Sequence, residues 1–355
     1  MSKLVVLTGG GTAGHVTPNI ALLPGLKEQG YEIRYIGSFN GIEKNLIEAE
    51  GIPYTGISTG KFRRNLSLKN IKDFFRVFKG LKEAKALLKE YRPNIVFSKG
   101  GYVSVPVVRA AKKLHIPVII HESDMTPGLA NRLSFSAASK ICCNFPETVK
   151  TLPADKAVLS GSPIRKELLS GSREAGLSFT GLSGEKPILL MIGGSLGAQA
   201  LNKVLRDSLP EMLKAFDVIH LCGKGNLDES LKDTAGYVQY EYISAELKDL
   251  FAAADVVFSR AGANAICELL VLRKPSLLVP LPKDASRGDQ ILNAESFEKQ
   301  GFSAVIQQEN LNANVLVEKI ADLYNNREKY ITAMNSSSQA NGVDTILNLI
   351  NELAK

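Results

Sequence analysis

Arg260 and Glu268 are the residues of this sequence whose types and spacing most clearly suit chemistry on an anion or a sugar. The apolar run Val256–Phe258 predicts a buried parallel strand, and the Ala- and Leu-rich segment Ala263–Leu272 predicts a helix. A strand that leads through a small-residue loop into a helix presents free backbone N–H groups and the positive end of the helix dipole. Arg260 adds a guanidinium beside them, so the segment suits an anionic ligand.

Glu268 lies one to two turns into the predicted helix, next to apolar neighbours such as Leu269 and Leu270. Its carboxylate could accept hydrogen bonds from two neighbouring hydroxyl groups of a sugar. The same spacing also suits a solvated glutamate on the outer face of a helix, and the pattern leaves both interpretations open.

The rest of the chain alternates strand and helix patterns, which predicts parallel sheets with helices on both faces. The strand patterns lie at Lys3–Leu7, Tyr31–Gly37, Asn94–Ser98, Val118–Ile120 and Pro187–Ile192. The helix patterns lie at Pro18–Gln29, Val105–Leu114 and Ala198–Leu209. The segment Gly171–Lys186 is rich in Gly and Ser and predicts a loop.

Two glycine-rich loops, Gly9–Gly14 and Gly193–Gly197, occupy equivalent places in the two halves of the chain. Each is expected to be the first βα turn of a doubly wound domain. A length of 355 residues also favours two domains, and the boundary is expected near Gly161–Arg165. Two such domains are expected to face one another across a cleft, into which the carboxyl ends of both sheets open.

The composition is that of a soluble globular protein, with 45% hydrophobic and 22% charged residues. No window is long and apolar enough to predict a transmembrane helix, and the start is too short before its glycines for a signal peptide. The four cysteines lack metal-type spacing and are interpreted as reduced thiols. The net charge of +7 suggests an anionic partner without choosing among nucleotide, nucleic acid and membrane.

His15 directly follows the first glycine loop. The loop fits the pattern of a dinucleotide site, but the strand Tyr31–Gly37 ends without the acidic residue that would hold a ribose, which disfavours a nicotinamide cofactor. Since the pKa of a histidine can lie near neutrality, His15 is a candidate general base. The alternative is that it only caps the start of a helix.

Two further segments place polar or flexible residues at strand ends. Gly100, Gly101 and Tyr102 form a loop that allows close approach of a ligand, although an ordinary turn would have the same composition. In the segment His121–Asp124, Glu122 and Asp124 are the candidates for ligand contact, and His121 is interpreted as a structural histidine. No arrangement predicts a hydrolase triad or a metal site.

The segment Lys61–Lys85 is strongly basic, and it includes aromatic residues on one predicted helical face. The simpler interpretation is a helix that packs this face on its own sheet. The alternative is a patch for anionic lipid headgroups, formed by Arg63, Arg64, Lys69, Lys72, Phe75, Arg76 and Lys79. Nucleic acid is not expected as a partner, because no recognition motif accompanies the basic residues.

Six motifs in order resemble those of the MurG family of bacterial N-acetylglucosaminyltransferases. They are Gly9–Pro18, Gly100–Pro106, His121–Asp124, Gly161–Arg165, Gly193–Ala198, and Arg260–Glu268 with Asp289-Gln290. The chain departs from the family pattern at Ala13 and Leu196, and at Asp124, which stands where the family has Asn. Asp124 adds a negative charge near the expected diphosphate.

The resemblance implies an α/β GT-B fold with two Rossmann-like doubly wound domains facing across a deep cleft. The expected domains are residues 1–163 with a C-terminal helix at about 340–355, for acceptor and membrane, and residues 164–339, for UDP-sugar. It also implies transfer of N-acetylglucosamine from UDP-N-acetylglucosamine to undecaprenyl-linked muramoyl-pentapeptide in peptidoglycan synthesis. The expected location is peripheral, on the cytoplasmic face of the cell membrane, without cofactor or metal.

The resemblance also implies site residues. His15 is the expected base, with Glu122 as second choice. Acceptor contacts are expected at Gly11, Gly100, Gly101, Tyr102 and Asp124. UDP-N-acetylglucosamine contacts are expected at Thr12, Ala13, Gly14, Arg165, Gly194, Ser195, Ile243, Arg260, Gly262, Ala263, Asn264, Ala265, Ile266, Cys267, Glu268, Gln290 and Asn293. The alternatives are a UDP-N-acetylglucosamine 2-epimerase, a glycolipid glycosyltransferase, and a regulator that binds the nucleotide sugar without turning it over.

Overall fold

The computed structural model describes residues 3–60, 68–194, 197–284, 288–337, 339 and 341–354, without the side chains of residues 68–72 and 74. The predictions for Arg63, Arg64 and Ser195, and for the side chains of Lys69 and Lys72, lie outside this description. The chain forms two compact units, Met1–Arg165 with Gln339–Lys355, and Lys166–Ser338.

Strands and α-helices alternate along most of the described chain. The strands are β1 (Leu4–Thr8), β2 (Glu32–Ser38), β3 (Tyr54–Ile57), β4 (Ile95–Ser98), β5 (Val118–Glu122), β6 (Lys140–Cys143), β7 (Ala157–Leu159), β8 (Ile188–Ile192), β9 (Asp217–Leu221), β10 (Tyr237–Tyr240), β11 (Val256–Ser259), β12 (Ser276–Leu278) and β13 (Ala304–Val305). The helices are α1 (Thr17–Glu28), α2 (Ile42–Ala49), α3 (Leu68–Tyr91), α4 (Ser104–Lys113), α5 (Leu129–Ser134), α6 (Pro146–Val149), α7 (Arg173–Thr180), α8 (Gln199–Met212), α9 (Leu247–Ala253), α10 (Ala263–Val271), α11 (Asp289–Lys299), α12 (Ala313–Asn325), α13 (Arg327–Asn335) and α14 (Gly342–Leu353).

The first unit contains a parallel sheet in the order β3-β2-β1-β4-β5-β6-β7. Its central strands are apolar and buried on both faces, as expected for parallel strands covered by helices. The order reverses between β1 and β4, whose last residues Thr8 and Ser98 are paired. The loops that follow these two strands therefore diverge, and such a switch point is where doubly wound sheets bind ligands.

The second unit repeats this plan with a parallel sheet in the order β10-β9-β8-β11-β12-β13. Here the reversal lies between β8 and β11, whose last residues Ile192 and Ser259 are paired. The second glycine loop follows β8, and the segment from Arg260 follows β11. Both segments singled out from the sequence thus start at the switch point of this sheet.

Helix α14 completes the core of the first unit. Its apolar face contributes Val343, Ile346, Leu347 and Ile350 to a buried cluster that also contains residues of α1. Each such fully buried aliphatic side chain stabilises the fold by roughly 1.5–3 kcal/mol. Asn341 is the N-cap residue of α14. Its side chain accepts a hydrogen bond from the Ile164 N–H at 3.0 Å and donates one to the Ile164 carbonyl at 3.0 Å.

The predicted loop across Gly171–Lys186 is wrong, because α7 occupies Arg173–Thr180. Ser172 caps its N-terminus by accepting a hydrogen bond from the Ala175 N–H at 3.2 Å. Gly181 ends it in the left-handed conformation, with φ of 71°. The Gly and Ser that suggested a loop are therefore the start and stop signals of a short helix.

The other predicted strands and helices named above are confirmed, with small shifts at their ends. All four cysteines are buried free thiols. Among the described residues, no helix combines the length and the apolar character needed to cross a membrane.

Candidate functional site

The first glycine loop leads from β1 into a short 3-10 helix, Ala13–His15, and then into α1. Thr12 stands at the N-cap of the 3-10 helix, and its Oγ1 lies 2.8 Å from Nδ1 of His15. Thr12 is exposed and His15 is partly buried. When Nδ1–H donates to Thr12, the lone pair of the neutral ring lies on Nε2, which is the arrangement a general base needs.

A network of buried polar side chains forms hydrogen bonds with the backbone of this loop. Tyr35 donates its hydroxyl to the Gly9 carbonyl at 2.9 Å, and Asn19 donates to the Tyr35 hydroxyl at 3.0 Å. Burial raises the pKa of Tyr35, so its hydroxyl stays protonated as a donor. The carboxylate of Glu43 accepts from the Gly11 N–H at 3.1 Å.

Sequence reasoning missed Glu43, which reads as an ordinary helix glutamate. It lies in the first turn of α2, directly after the end of β2, and it is fully buried. An acidic residue in a first helical turn at a strand end was the signal that could have found it.

The loop after β4 packs directly against the first loop. Gly100 and Gly101 have φ of 88° and 80°, in the left-handed region that favours glycine. A Cβ on Gly101 would collide with the Gly10 carbonyl, and one on Gly11 would lie 2.6 Å from the Tyr102 ring. The predicted acceptor residues Gly11, Gly100, Gly101 and Tyr102 therefore lie together.

Glu122 ends β5 and is buried, with 4% of its surface exposed. Its carboxylate accepts three hydrogen bonds, from the N–H groups of Asp124 and Gly128 at 3.1 and 3.0 Å and from Asn131 Nδ2 at 2.8 Å. Burial raises its pKa, and the Asn131 hydrogen bond opposes that shift. This geometry suits a residue that organises the loop around Asp124 better than a base that receives a proton.

Lys99 and His121 link the neighbouring strand ends. Lys99 Nζ donates to Ser123 Oγ, which joins the loop after β4 to the loop after β5. His121 Nε2–H donates to the Gly161 carbonyl at 2.9 Å. Burial and the nearby Lys99 hold the pKa of His121 well below its ordinary value, so it is neutral. This is the structural histidine that the sequence suggested. Arg165 is partly buried at the end of this unit.

The guanidinium of Arg260, in the second unit, forms hydrogen bonds within that unit. Its Nη1 donates to the carbonyls of Val279 and Pro280, both at 3.2 Å, and its Nη2 donates to Gln308 Oε1 at 2.6 Å. These hydrogen bonds hold the guanidinium against the loop after β12, and contact between Arg260 and UDP-N-acetylglucosamine stays a prediction.

Helix α10 begins at this switch point with Gly262 as its N-cap, and no side-chain hydrogen bond from that residue caps it. Its first turn, Ala263–Ala265, therefore presents backbone N–H groups and the positive end of the helix dipole. Glu268 is partly buried one turn further on. Ile266 and Cys267 are buried, so their side chains face the core.

Helix α11 brings Gln290 and Asn293 to the same edge of the sheet. Gln290 Oε1 accepts from the Leu281 N–H at 3.1 Å, and Asn293 Nδ2 donates to the Ala261 carbonyl at 3.5 Å. Gly194 is exposed after β8, and Ile243 is partly buried after β10. The residues of this unit that are expected to bind UDP-N-acetylglucosamine, where the structure describes them, thus follow the ends of parallel strands or contact these ends.

Residues 5–143 match the glycosyltransferase family 28 N-terminal domain, and residues 188–350 match the glycosyltransferase family 28 C-terminal domain. The chain belongs to glycosyltransferase family 28. It is 63% identical over 351 residues to a family member from Lachnoclostridium phytofermentans, covering 99% of each chain. That relative is named UDP-N-acetylglucosamine–N-acetylmuramyl-(pentapeptide) pyrophosphoryl-undecaprenol N-acetylglucosamine transferase.

Solved structures agree with this family 28 assignment. Acinetobacter baumannii MurG is 26% identical, with a TM-score of 0.79, and the match covers 99% of this chain and 100% of that one. The resemblance to the MurG family and the predicted α/β GT-B fold are confirmed. A UDP-N-acetylglucosamine 2-epimerase described from Listeria monocytogenes is 13% identical, with a TM-score of 0.70 over 99% of this chain and 96% of that one, and this likeness concerns the fold alone.

Proposed function

We propose that this protein transfers N-acetylglucosamine from UDP-N-acetylglucosamine to the C4 hydroxyl of muramic acid in undecaprenyl-diphospho-N-acetylmuramoyl-pentapeptide. The observation that carries the proposal is the 63% identity, across 99% of both chains, to a relative named for this reaction. The geometry supports it, because both sheets present glycine loops and polar side chains at their switch points.

The reaction proceeds by direct displacement with inversion at C1 of the donor sugar. The C4 oxygen of the acceptor forms a bond to C1, while the bond from C1 to the UDP oxygen breaks and its electron pair leaves with UDP. Nε2 of His15 takes the proton from the acceptor hydroxyl. The contact from Thr12 Oγ1 to Nδ1, at 2.8 Å, supports this role, because a ring whose Nδ1–H donates to that hydroxyl has its lone pair on Nε2.

The second unit binds UDP-N-acetylglucosamine, mainly through backbone N–H groups. The first turn of α10 meets the diphosphate, and Glu268, Gln290 and Asn293 contact the sugar. The hydrogen bond from Asn293 to the Ala261 carbonyl, shortly before the start of α10, supports this assignment. Negative charge that develops on the departing UDP is stabilised by these N–H groups and the helix dipole.

The acceptor is held by the loops of the first unit, which are in mutual contact through Gly10, Gly11, Gly101 and Tyr102. Asp124 lies on the loop that Glu122 organises. Its carboxylate favours contacts with hydroxyl or amide groups of the acceptor over contacts with a diphosphate, because like charges repel.

Helix α3 provides the membrane surface. The side chains of Phe75 and Phe78 are 68% and 50% exposed. Arg76 and Lys79 lie beside them with side chains 64% and 71% exposed, in ion pairs of 3.4 and 3.8 Å that contribute little in water. Aromatic side chains flanked by cations suit the interface of an anionic bilayer. This surface supports a peripheral location, which we assign to the cytoplasmic face of the cell membrane.

The deciding experiment follows UDP release and the sugar product, with and without the lipid-linked acceptor. We expect release that depends on acceptor and yields a disaccharide-lipid.

In His15→Asn we expect transfer to fall roughly 100- to 10,000-fold, as for loss of a general base, while UDP still binds. The control is His115→Asn, on an exposed histidine of the same unit. Wild-type transfer by His15→Asn would contradict the assignment of the base, and acceptor-independent release would favour the epimerase.

Sedimentation with vesicles containing anionic phosphatidylglycerol tests the membrane surface. The double variant Phe75→Ser/Lys79→Glu is expected to bind at least about tenfold more weakly, since each basic residue near such a surface contributes about 1 kcal/mol. The control, Leu227→Ser/Lys299→Glu, also replaces one exposed apolar residue and reverses the charge of one exposed lysine, on the second unit. Equal losses in both variants would argue against a surface on α3.

A further inference from the structure

Glu43 is a fully buried carboxylate that joins the first glycine loop to the end of β2. Its Oε2 accepts from the Gly11 N–H at 3.1 Å. Its Oε1 accepts from the Ser38 N–H at 3.1 Å and from the Ser38 hydroxyl. One oxygen therefore binds the first glycine loop and the other binds the end of β2. Only a group with two acceptor oxygens can make both sets of hydrogen bonds at once.

The surroundings are built to accept this negative charge. Glu43 lies in the first turn of α2, where the helix dipole favours an anion. Two glycines leave room for it, since a Cβ on Gly10 would lie 2.5 Å from the carboxyl carbon and one on Gly41 would overlap the carboxylate. The charge also contributes to the raised pKa of Tyr54 and Tyr102, after burial as the larger cause.

The anchored residue, Gly11, controls the position of two parts of the site. It directly precedes Thr12, whose hydroxyl contacts His15. It also packs against the ring of Tyr102, so closely that a Cβ would lie 2.6 Å from that ring. A displacement of Gly11 would therefore move the histidine and the second loop together.

We propose that Glu43 is a positioning residue for glycosyl transfer, which fixes Gly11 and through it His15 without touching the substrate. This inference rests on the proposed function, in which His15 takes the acceptor proton.

The test is Glu43→Gln. An amide offers one acceptor oxygen, so either the Gly11 N–H or the Ser38 N–H would face the NH₂ group. We expect kcat to fall roughly 10- to 100-fold, as for a small misplacement of a reacting group, with the affinity for UDP unchanged. The control is Glu48→Gln, which makes the same change at an exposed position of the same helix and should leave kcat unchanged.

A double variant separates positioning from a general loss of structure. If Glu43 acts through His15, Glu43→Gln should slow the His15→Asn enzyme no further, because the group it positions is already gone. Multiplicative losses in kcat would overturn the proposal. If Glu43→Gln does not fold, Glu43→Asp takes its place, since it keeps the charge but is one methylene too short to reach both Gly11 and Ser38.

Hydrogen exchange at the Gly11 amide gives a readout that does not depend on activity. We expect faster exchange in Glu43→Gln and no change in Glu48→Gln. Unchanged exchange, or faster exchange with a normal kcat, would overturn the positioning role. Failure of the proposed function itself would look different, because the wild-type protein would then not transfer sugar while its Gly11 amide remained protected.

Discussion

The hydroxyl of Thr12 lies 2.8 Å from Nδ1 of His15, across a single turn of 3-10 helix. This contact orients the imidazole, and when Nδ1–H donates to the hydroxyl the lone pair of the neutral ring lies on Nε2. Other histidine bases are oriented by a carboxylate, which also stabilises the imidazolium after proton transfer. A hydroxyl at this position supplies orientation without a charge.

The variant Thr12→Val removes this hydroxyl and keeps the size and branching of the side chain. We expect kcat to fall about tenfold, because the ring loses the contact that orients it. Thr12→Ser keeps the hydroxyl and should retain most of the activity. Steady-state kinetics on both variants measure the effect, and similar rates for Val and Ser would argue that the hydroxyl has no part in transfer.

Glu122→Gln tests whether the second candidate base is instead structural. The carboxylate serves three donors, at Asp124, Gly128 and Asn131, and an amide can satisfy only part of this set. We expect the free energy of unfolding of the first unit to fall by about 1–3 kcal/mol, as for a buried donor left unsatisfied.

Thermal unfolding and the pH dependence of kcat together check this prediction for Glu122. The variant should keep the limb of the pH profile that reports the base, since His15 still supplies it. Loss of that limb with unchanged stability would return the catalytic role to Glu122. An apt control is Glu147→Gln, a partly buried glutamate on α6 of the same unit.

Arg260→Lys tests the structural role assigned to the guanidinium. One ammonium group cannot reach the carbonyls of Val279 and Pro280 and the side chain of Gln308 with the same planar geometry. We expect the second unit to lose about 1–3 kcal/mol of stability, with weaker UDP binding as a consequence of the disturbed loop. Arg132→Lys, at an exposed position, is the control. A large loss of UDP affinity without any loss of stability would indicate direct contact with the diphosphate.

The features predicted well from sequence are those set by local patterns. The glycine loops, the helix starts and the strand ends near His15 and Gly100 follow from residue types within a few positions of one another. Because parallel strands end at one edge of a sheet, that local information also placed these residues near each other.

The features that were missed depend on distant partners. Glu43 looks solvated in the sequence, and only the fold brings Gly11 and Ser38 to its two oxygens. The sequence also does not show the hydrogen bonds of Arg260, because only the fold brings the carbonyls of Val279 and Pro280, in the loop after β12, to its guanidinium. The helix α7 was missed for a different reason, since its cap residues Ser172 and Gly181 also suit a loop.

His220 should make the second unit sensitive to acid. It is fully buried on β9, where its Nε2–H donates to Asn202 Oδ1 at 3.0 Å and its Nδ1 accepts from the Tyr237 hydroxyl at 2.8 Å. Burial, with a smaller contribution from Arg206, lowers the pKa of His220 to about 3. In the unfolded chain the ordinary pKa of a histidine is about 6.5.

Between these two values the unfolded chain binds a proton that the folded unit does not. The contribution of His220 to stability is therefore complete above about pH 6.5 and is lost as the pH falls toward about 3, at up to about 1.4 kcal/mol per pH unit. His220→Gln keeps a donor and an acceptor but does not titrate, so its stability should fall less steeply with acid. Denaturant unfolding of both proteins between about pH 4 and pH 6 measures the difference in slope. Parallel profiles would mean that His220 takes up its proton without unfolding the unit.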